Sequence, residues 1–278
     1  MSLTVFCTVL FAAALHAGWN IIVKGAPDKL FTTILVAASA SAFGAATIPF
    51  VPLPSPRDAA LIAASTAVHV AYYVLVANAY RLADISQSYP LMRGAAPLLV
   101  AMVGAAVFGE ALPFAAWIGV CLISFGIISM VRAGSRKGDG KGVAVAILNA
   151  GVIAAYTLLD ATGVRGATSP LSYMMWLSFA TGLPLVAWVL LTRRVAFVAY
   201  ASRHFALGAA GGVVSVVAYG LSLWAMTVAP VAMVAALRET SILFATAIAA
   251  VLLREPVDRY RAAAVGVIAA GAVALRLA

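Results

Sequence analysis

The chain carries little charge. Only 10% of its 278 residues are Asp, Glu, Lys or Arg, where a soluble globular domain has about 25%. With 64% hydrophobic residues and a mean hydropathy of +1.06, there is too little polar surface to cover a water-exposed core. Cysteine is scarce too. Cys7 and Cys121 lie inside apolar runs, and neither belongs to a CxxC or a Cys/His cluster, so no disulfide framework and no metal site is indicated. Both are expected to be small core residues. The sequence also lacks a Gly-rich phosphate loop and a nucleophile–base constellation, so neither ATP-driven work nor enzymatic chemistry has support. No cofactor is expected.

What the chain has instead is apolar length. Runs of about 20 residues recur, enough for a helix to cross the ~30 Å hydrocarbon layer. Gly, Pro and charge clusters divide them into ten segments, near 3–23, 30–51, 58–80, 86–108, 113–131, 142–162, 170–192, 204–228, 230–253 and 262–277. The fold class is therefore all-α integral membrane. The N-terminal MSLTVFCTVLFAAALHAG ends in small residues as a signal peptide does. It lacks a basic n-region and its apolar character continues through WNIIV, so it is read as the first membrane helix. The net charge of +9 is then loop charge set against a bilayer, not a nucleic-acid footprint.

The two halves resemble each other. An offset of 145 residues places Arg93 on Arg238, Glu110 on Glu255 and Gly126 on Gly271, and sets FGEALPF against LREPVDR. Near the start, AALHAG (13–18) matches AILNAG (146–151). The expected organisation is a first five-helix repeat over 1–132, a basic linker over 133–141 and a second repeat over 142–278. Five is odd, so the halves enter the membrane from opposite sides. That is the inverted-repeat plan, which places a substrate site near the midplane between the repeats.

Basic residues assign the sides. Thirteen of the 18 basic residues fall in the loops after segments one, three, five, seven and nine, and three (Arg57, Arg165, Arg276) fall on the other side. The positive-inside rule makes the linker cytoplasmic and both termini extracytoplasmic.

Two basic residues remain, Arg93 and Arg238. Each sits about eight residues into its segment, roughly 12 Å deep at ~1.5 Å per residue. Inserting a lone arginine at that depth costs at least about 2.5–3.5 kcal/mol. Each either locks the bundle by pairing locally or faces a wet cavity and attracts an anion, for which its forked guanidinium suits a carboxylate. Glu239 follows Arg238 directly. On one continuous helix the two point about 100° apart and would not share a narrow groove. It is read as a structural ion pair, a proton carrier or a receiver of a substrate amine. Asp160, with Arg165 just beyond, is read as an interfacial charge.

Aromatic and imidazole groups cluster by segment. His16, Trp19 and Asn20 lie on the first; His69, Tyr72 and Tyr73 on the third; Asn149 and Tyr156 on the sixth; and Tyr219 on the eighth. At i and i+3, His16 shares a face with Trp19, and His69 with Tyr72. Polar tips at such depth need partners, across helices or in a wet cavity. Tyr200 is expected to anchor the interface.

The ten segments in two halves, the stretch HAGWNIIVK, the proline-initiated fourth segment and the turns FGEALP and LREPV together resemble the EamA type of the drug/metabolite transporter superfamily. Within it, the chain is similar to the YddG-like amino acid exporters. The resemblance implies a basket-shaped bundle whose cavity is lined by segments one, three, four, six, eight and nine, with five and ten outside. It also implies alternating access by rocking of the two halves. The basic count departs from the cytoplasmic termini described for many members. The expected function is a secondary transporter exporting amino acids, aromatic ones included, or similar zwitterionic metabolites across the inner or plasma membrane. The chain is expected to act as a monomer, with the lipid bilayer and a small-molecule substrate as its partners. A multidrug exporter of lipophilic cations and a carrier of anionic metabolites such as nucleotide sugars are the alternatives. A non-transporting scaffold has little reason to keep two midplane arginines.

Overall fold

The computed structural model describes residues 1–131, 140–252 and 258–278. The expected linker, except for its last two positions, and the residues Arg254 and Glu255 lie outside them. The described residues form eleven α-helices: α1 Leu3–Gly25, α2 Lys29–Thr47, α3 Pro56–Leu82, α4 Ile85–Phe108, α5 Phe114–Ile128, α6 Gly140–Gly166, α7 Pro170–Thr192, α8 Arg194–Val228, α9 Val231–Arg238, α10 Ser241–Leu252 and α11 Arg259–Leu277. A short 3₁₀ turn, Ile48–Phe50, follows α2. Nine spans are long and apolar enough to cross a membrane, with α9 and α10 counted together, and α5 is a shorter apolar helix of 15 residues. The ten expected segments are all present.

Local chemistry sets the helix ends. Before the starts of α2, α3 and α7 a side-chain oxygen accepts from a free backbone N–H: Asp28 from Phe31 at 2.9 Å, Ser55 from Asp58 at 3.1 Å and Ser169 from Ser172 at 3.2 Å. Pro56 and Pro170 occupy first-turn positions, where no N–H is missed. Helix α4 stops at Gly109, whose φ of 64° is the left-handed cap that glycine adopts without strain.

Two boundaries differ from expectation. The residues before segment eight are already helical, so α8 runs 35 residues with a kink at His204. Its early part is tied down by Tyr200, whose hydroxyl lies 2.6 Å from Thr32 Oγ1 and whose ring packs on Phe31 and His204. Tyr200 is thus a half-buried tie between helices. The ninth segment is not continuous. Glu239 N–H donates to Ala236 O at 3.0 Å and the Thr240 hydroxyl to Leu237 O at 2.6 Å. These three-residue spacings tighten the chain and end α9 two residues before α10 begins.

Helix pairing fills the interior. Helix α5 packs along α11, α2 along α7 and α8, α1 along α8, α3 along α6, and α4 along α6. Small residues permit close approach. A Cβ at Gly271 would stand 2.7 Å from Ile123 and 2.9 Å from the Gly119 carbonyl, and one at Gly119 would stand 2.9 Å from the Gly271 carbonyl. Cys7 and Cys121 are exposed on the outer surface, not in the core. On a membrane helix the side facing lipid is as apolar as the side facing protein, so composition does not separate them.

Candidate functional site

The charged groups inside the membrane come together where α4, α6 and the α9–α10 break meet. There a cavity with about 280 Å³ of empty space is lined by Arg93, Ala96, Pro97 and Val100 from α4; by Ile153, Tyr156 and Thr157 from α6; and by Ala235, Arg238 and Glu239. Arg238 and Glu239 therefore share the cavity, contrary to the expectation from a continuous helix.

The two arginines do different things. Arg93 Nε lies 2.8 Å from Glu239 Oε2, and both side chains are buried. Neither atom has an aligned hydrogen-bond partner, so the contact is an ion pair by proximity. Among the described residues no carboxylate forms an ion pair with Arg238. Its guanidinium sits over the Tyr219 ring, 5.0 Å from the centroid, and the Tyr219 hydroxyl donates to Asp160 Oδ2.

Asp160 is the largest correction. It is fully buried, its other oxygen Oδ1 has no partner, and it lies beside the Ser65 hydroxyl and within the electrostatic reach of His69 and Arg238. It is a member of the polar interior, not an interfacial charge. Arg165, its expected companion, points elsewhere. It pairs with Glu110 at 2.7 Å and donates to Met226 O at 2.6 Å and Ala229 O at 2.9 Å. Glu110 in turn accepts from Val231 N–H at 3.1 Å. One ion pair thus caps the end of α8 and the start of α9 together.

The aromatic groups form a wall beside the cavity. His69 stacks on Tyr156 with centroids 4.2 Å apart, Tyr72 meets Tyr156 edge-on at 5.9 Å, and Tyr73 meets Tyr72 at 5.2 Å. His16 meets Trp19 edge-on at 5.2 Å and feels the fields of both arginines. Two of the expected residues stand apart. The Asn20 amide is occupied by the His16 carbonyl of its own helix at 2.7 Å. The Asn149 amide donates to Met92 sulfur at 2.9 Å, away from the cavity lining. Sequence reading missed Thr157 and the small residues Ala96 and Ala235. Their one available signal was helical spacing from Tyr156, Arg93 and Arg238. Among the described residues no group of three His, Cys, Asp or Glu side chains is placed to hold a metal ion.

The charged cavity lies inside a multi-pass bundle of apolar helices. Residues 140–277 match the EamA-like transporter family, so the second half of the chain is similar to that family's domain. Members of that family are membrane transporters, not enzymes. The whole chain superposes on a protein of known crystal structure with a TM-score of 0.76, covering 99% of this chain and 98% of that one at 19% identity. At that identity the likeness shows the fold alone. No curated protein matches the chain in sequence.

Proposed function

We propose that the protein is a secondary transporter that exports amino acids, aromatic ones included, or similar small zwitterionic metabolites across the inner or plasma membrane by alternating access. The observation that carries this reading is the asymmetry of the two arginines. Arg93 is neutralised by Glu239, whereas Arg238 presents its guanidinium to the cavity with only an aromatic ring behind it. A substrate carboxylate docks on Arg238, and the substrate ammonium is balanced by the negative charges of Glu239 and Asp160. Counted formally, Arg93 and Arg238 cancel Glu239 and Asp160. This balance suits a zwitterion better than a nucleotide sugar or a lipophilic cation.

The helix pairing supports the inverted-repeat plan and its two rocking halves. Under a twofold that exchanges α1 with α6 and α3 with α8, the α3–α6 pair becomes the α8–α1 pair, and both are extensive. The α2–α7 and α5–α11 pairs map onto themselves. The Arg165–Glu110 clamp closes the face with few basic residues, read as extracytoplasmic, and must open for release. The chain acts as a monomer in this reading. The test is counterflow in proteoliposomes with labelled amino acids, quaternary amines and sugar nucleotides. Exchange of amino acids is expected, and exchange of only quaternary amines or only sugar nucleotides overturns the assignment.

A further inference from the structure

The polar interior does not end at the central cavity. A second cavity, with about 240 Å³ of empty space, opens between the α2–α3 and α6–α7 connections and is lined by Pro52, Leu53, Pro54, Asp58, Thr168, Ser169, Ser172 and Tyr173. Two of these are deeply buried yet incompletely bonded. Asp58 is 4% exposed and its Oδ1 has no partner; Tyr173 is 1% exposed and its hydroxyl has none. An unpaired buried oxygen costs free energy unless water or another exchangeable group serves it. The tip of the Tyr173 ring lies against Gly163 of α6, one turn beyond Asp160, whose Oδ1 is likewise buried without a hydrogen-bond partner. Tyr173 feels the charge of both Asp160 and Asp58. Asp160 then leads through Tyr219 to Arg238.

We propose that Asp58, Tyr173 and Asp160 form a proton path from the extracytoplasmic face to the central site, and that the proton is the coupling ion. The idea rests on the transporter reading above. A hydrated proton from the extracytoplasmic solution enters the outer cavity, protonates Asp58 and leaves a water behind. The Asp58 proton passes to the Tyr173 oxygen, directly or through a water, as the phenol's own proton passes to Asp160. Asp58 is a carboxylate again, Tyr173 is an intact phenol, and Asp160 holds one added proton. A proton on Asp160 and the ammonium of a zwitterion compete for the same negative charge. Entry of the proton therefore accompanies exit of substrate. The groups that bear on Asp160 are Ser65 and His69 from α3, Tyr156 from α6, Tyr173 from α7, Tyr219 from α8 and Arg238 from α9. Arg57, next to Asp58 in the chain, lies against Gly166.

The test uses the full-length protein in vesicles containing the pH dye pyranine and labelled L-phenylalanine. The wild type is expected to acidify the lumen as phenylalanine leaves. Tyr173→Phe, which keeps the ring, and Asp58→Asn are each expected to lower that proton uptake at least tenfold while phenylalanine exchange stays within twofold. Variants that acidify like the wild type, or wild-type efflux without acidification, overturn the path. A second arm imposes a potential with potassium and valinomycin and no amino acid. If phenylalanine does not cross but protons enter faster than in protein-free vesicles, and Tyr173→Phe removes the excess, the path stands and the amino acid reading falls. If protons move in neither arm, the path is wrong.

Discussion

Replacing each intramembrane arginine by glutamine separates their roles. Arg93→Gln leaves the buried Glu239 carboxylate without the guanidinium 2.8 Å away. Breaking one side of a buried pair costs about 3–5 kcal/mol, because the remaining charge stays desolvated and uncompensated. Arg238→Gln removes a cation from over an aromatic ring at 5.0 Å, worth about 0.5–2 kcal/mol, and breaks no direct ion pair among the described residues. Its loss falls on substrate: one charge-assisted contact is worth roughly 1.5–3 kcal/mol, or about 10- to 100-fold in apparent affinity. The expected pattern is crossed. Arg93→Gln lowers thermal stability in detergent strongly, and a second change, Glu239→Gln, restores much of it. Arg238→Gln melts close to the wild type but needs far more substrate for half-maximal counterflow. Equal melting losses for the two single variants, or normal transport by Arg238→Gln, would refute the division of roles.

Other outcomes follow from named contacts. Arg165→Lys keeps the charge but loses the three-way fork to Glu110, Met226 O and Ala229 O; in a background without the native cysteines, a thiol placed at Ala229 should then label faster from the extracytoplasmic side. Gly271→Ala drives a methyl group to 2.9 Å from the Gly119 backbone, so α5 and α11 must separate, at about 1–3 kcal/mol, seen as a lower melting temperature; an unchanged melt refutes the tight pairing. In the same background, a cysteine at Ser135 should be labelled from outside intact cells only after permeabilisation, and one at the C-terminus without it. The reverse pattern overturns the sidedness read from the basic residues.

Much of this protein was legible in its residues. Charge scarcity and ten apolar runs sufficed for the membrane class, because a bilayer demands about 20 apolar residues per crossing whatever the partners. The depth of Arg93 and Arg238, and their offset of 145 residues, singled out the two guanidinium groups that meet at the cavity. Which of the two is free was decided only by tertiary structure. Spacing on one helix places Arg238 and Glu239 about 100° apart. Both nonetheless line the one cavity, and packing against α4 sets the Glu239 carboxylate beside Arg93. Asp160 shows the same limit. Near a helix end beside Arg165, it reads as an interfacial charge. Packing of α6 against α3, α7 and α8 buries it completely among Ser65, Tyr173 and Tyr219. Cys7 and Cys121 mark the converse case, apolar positions that turned outward. In a membrane, hydrophobicity says how deep a residue lies but not which way it faces, because lipid and protein interior are equally apolar. Depth was a property of the sequence, and direction belonged to the packing.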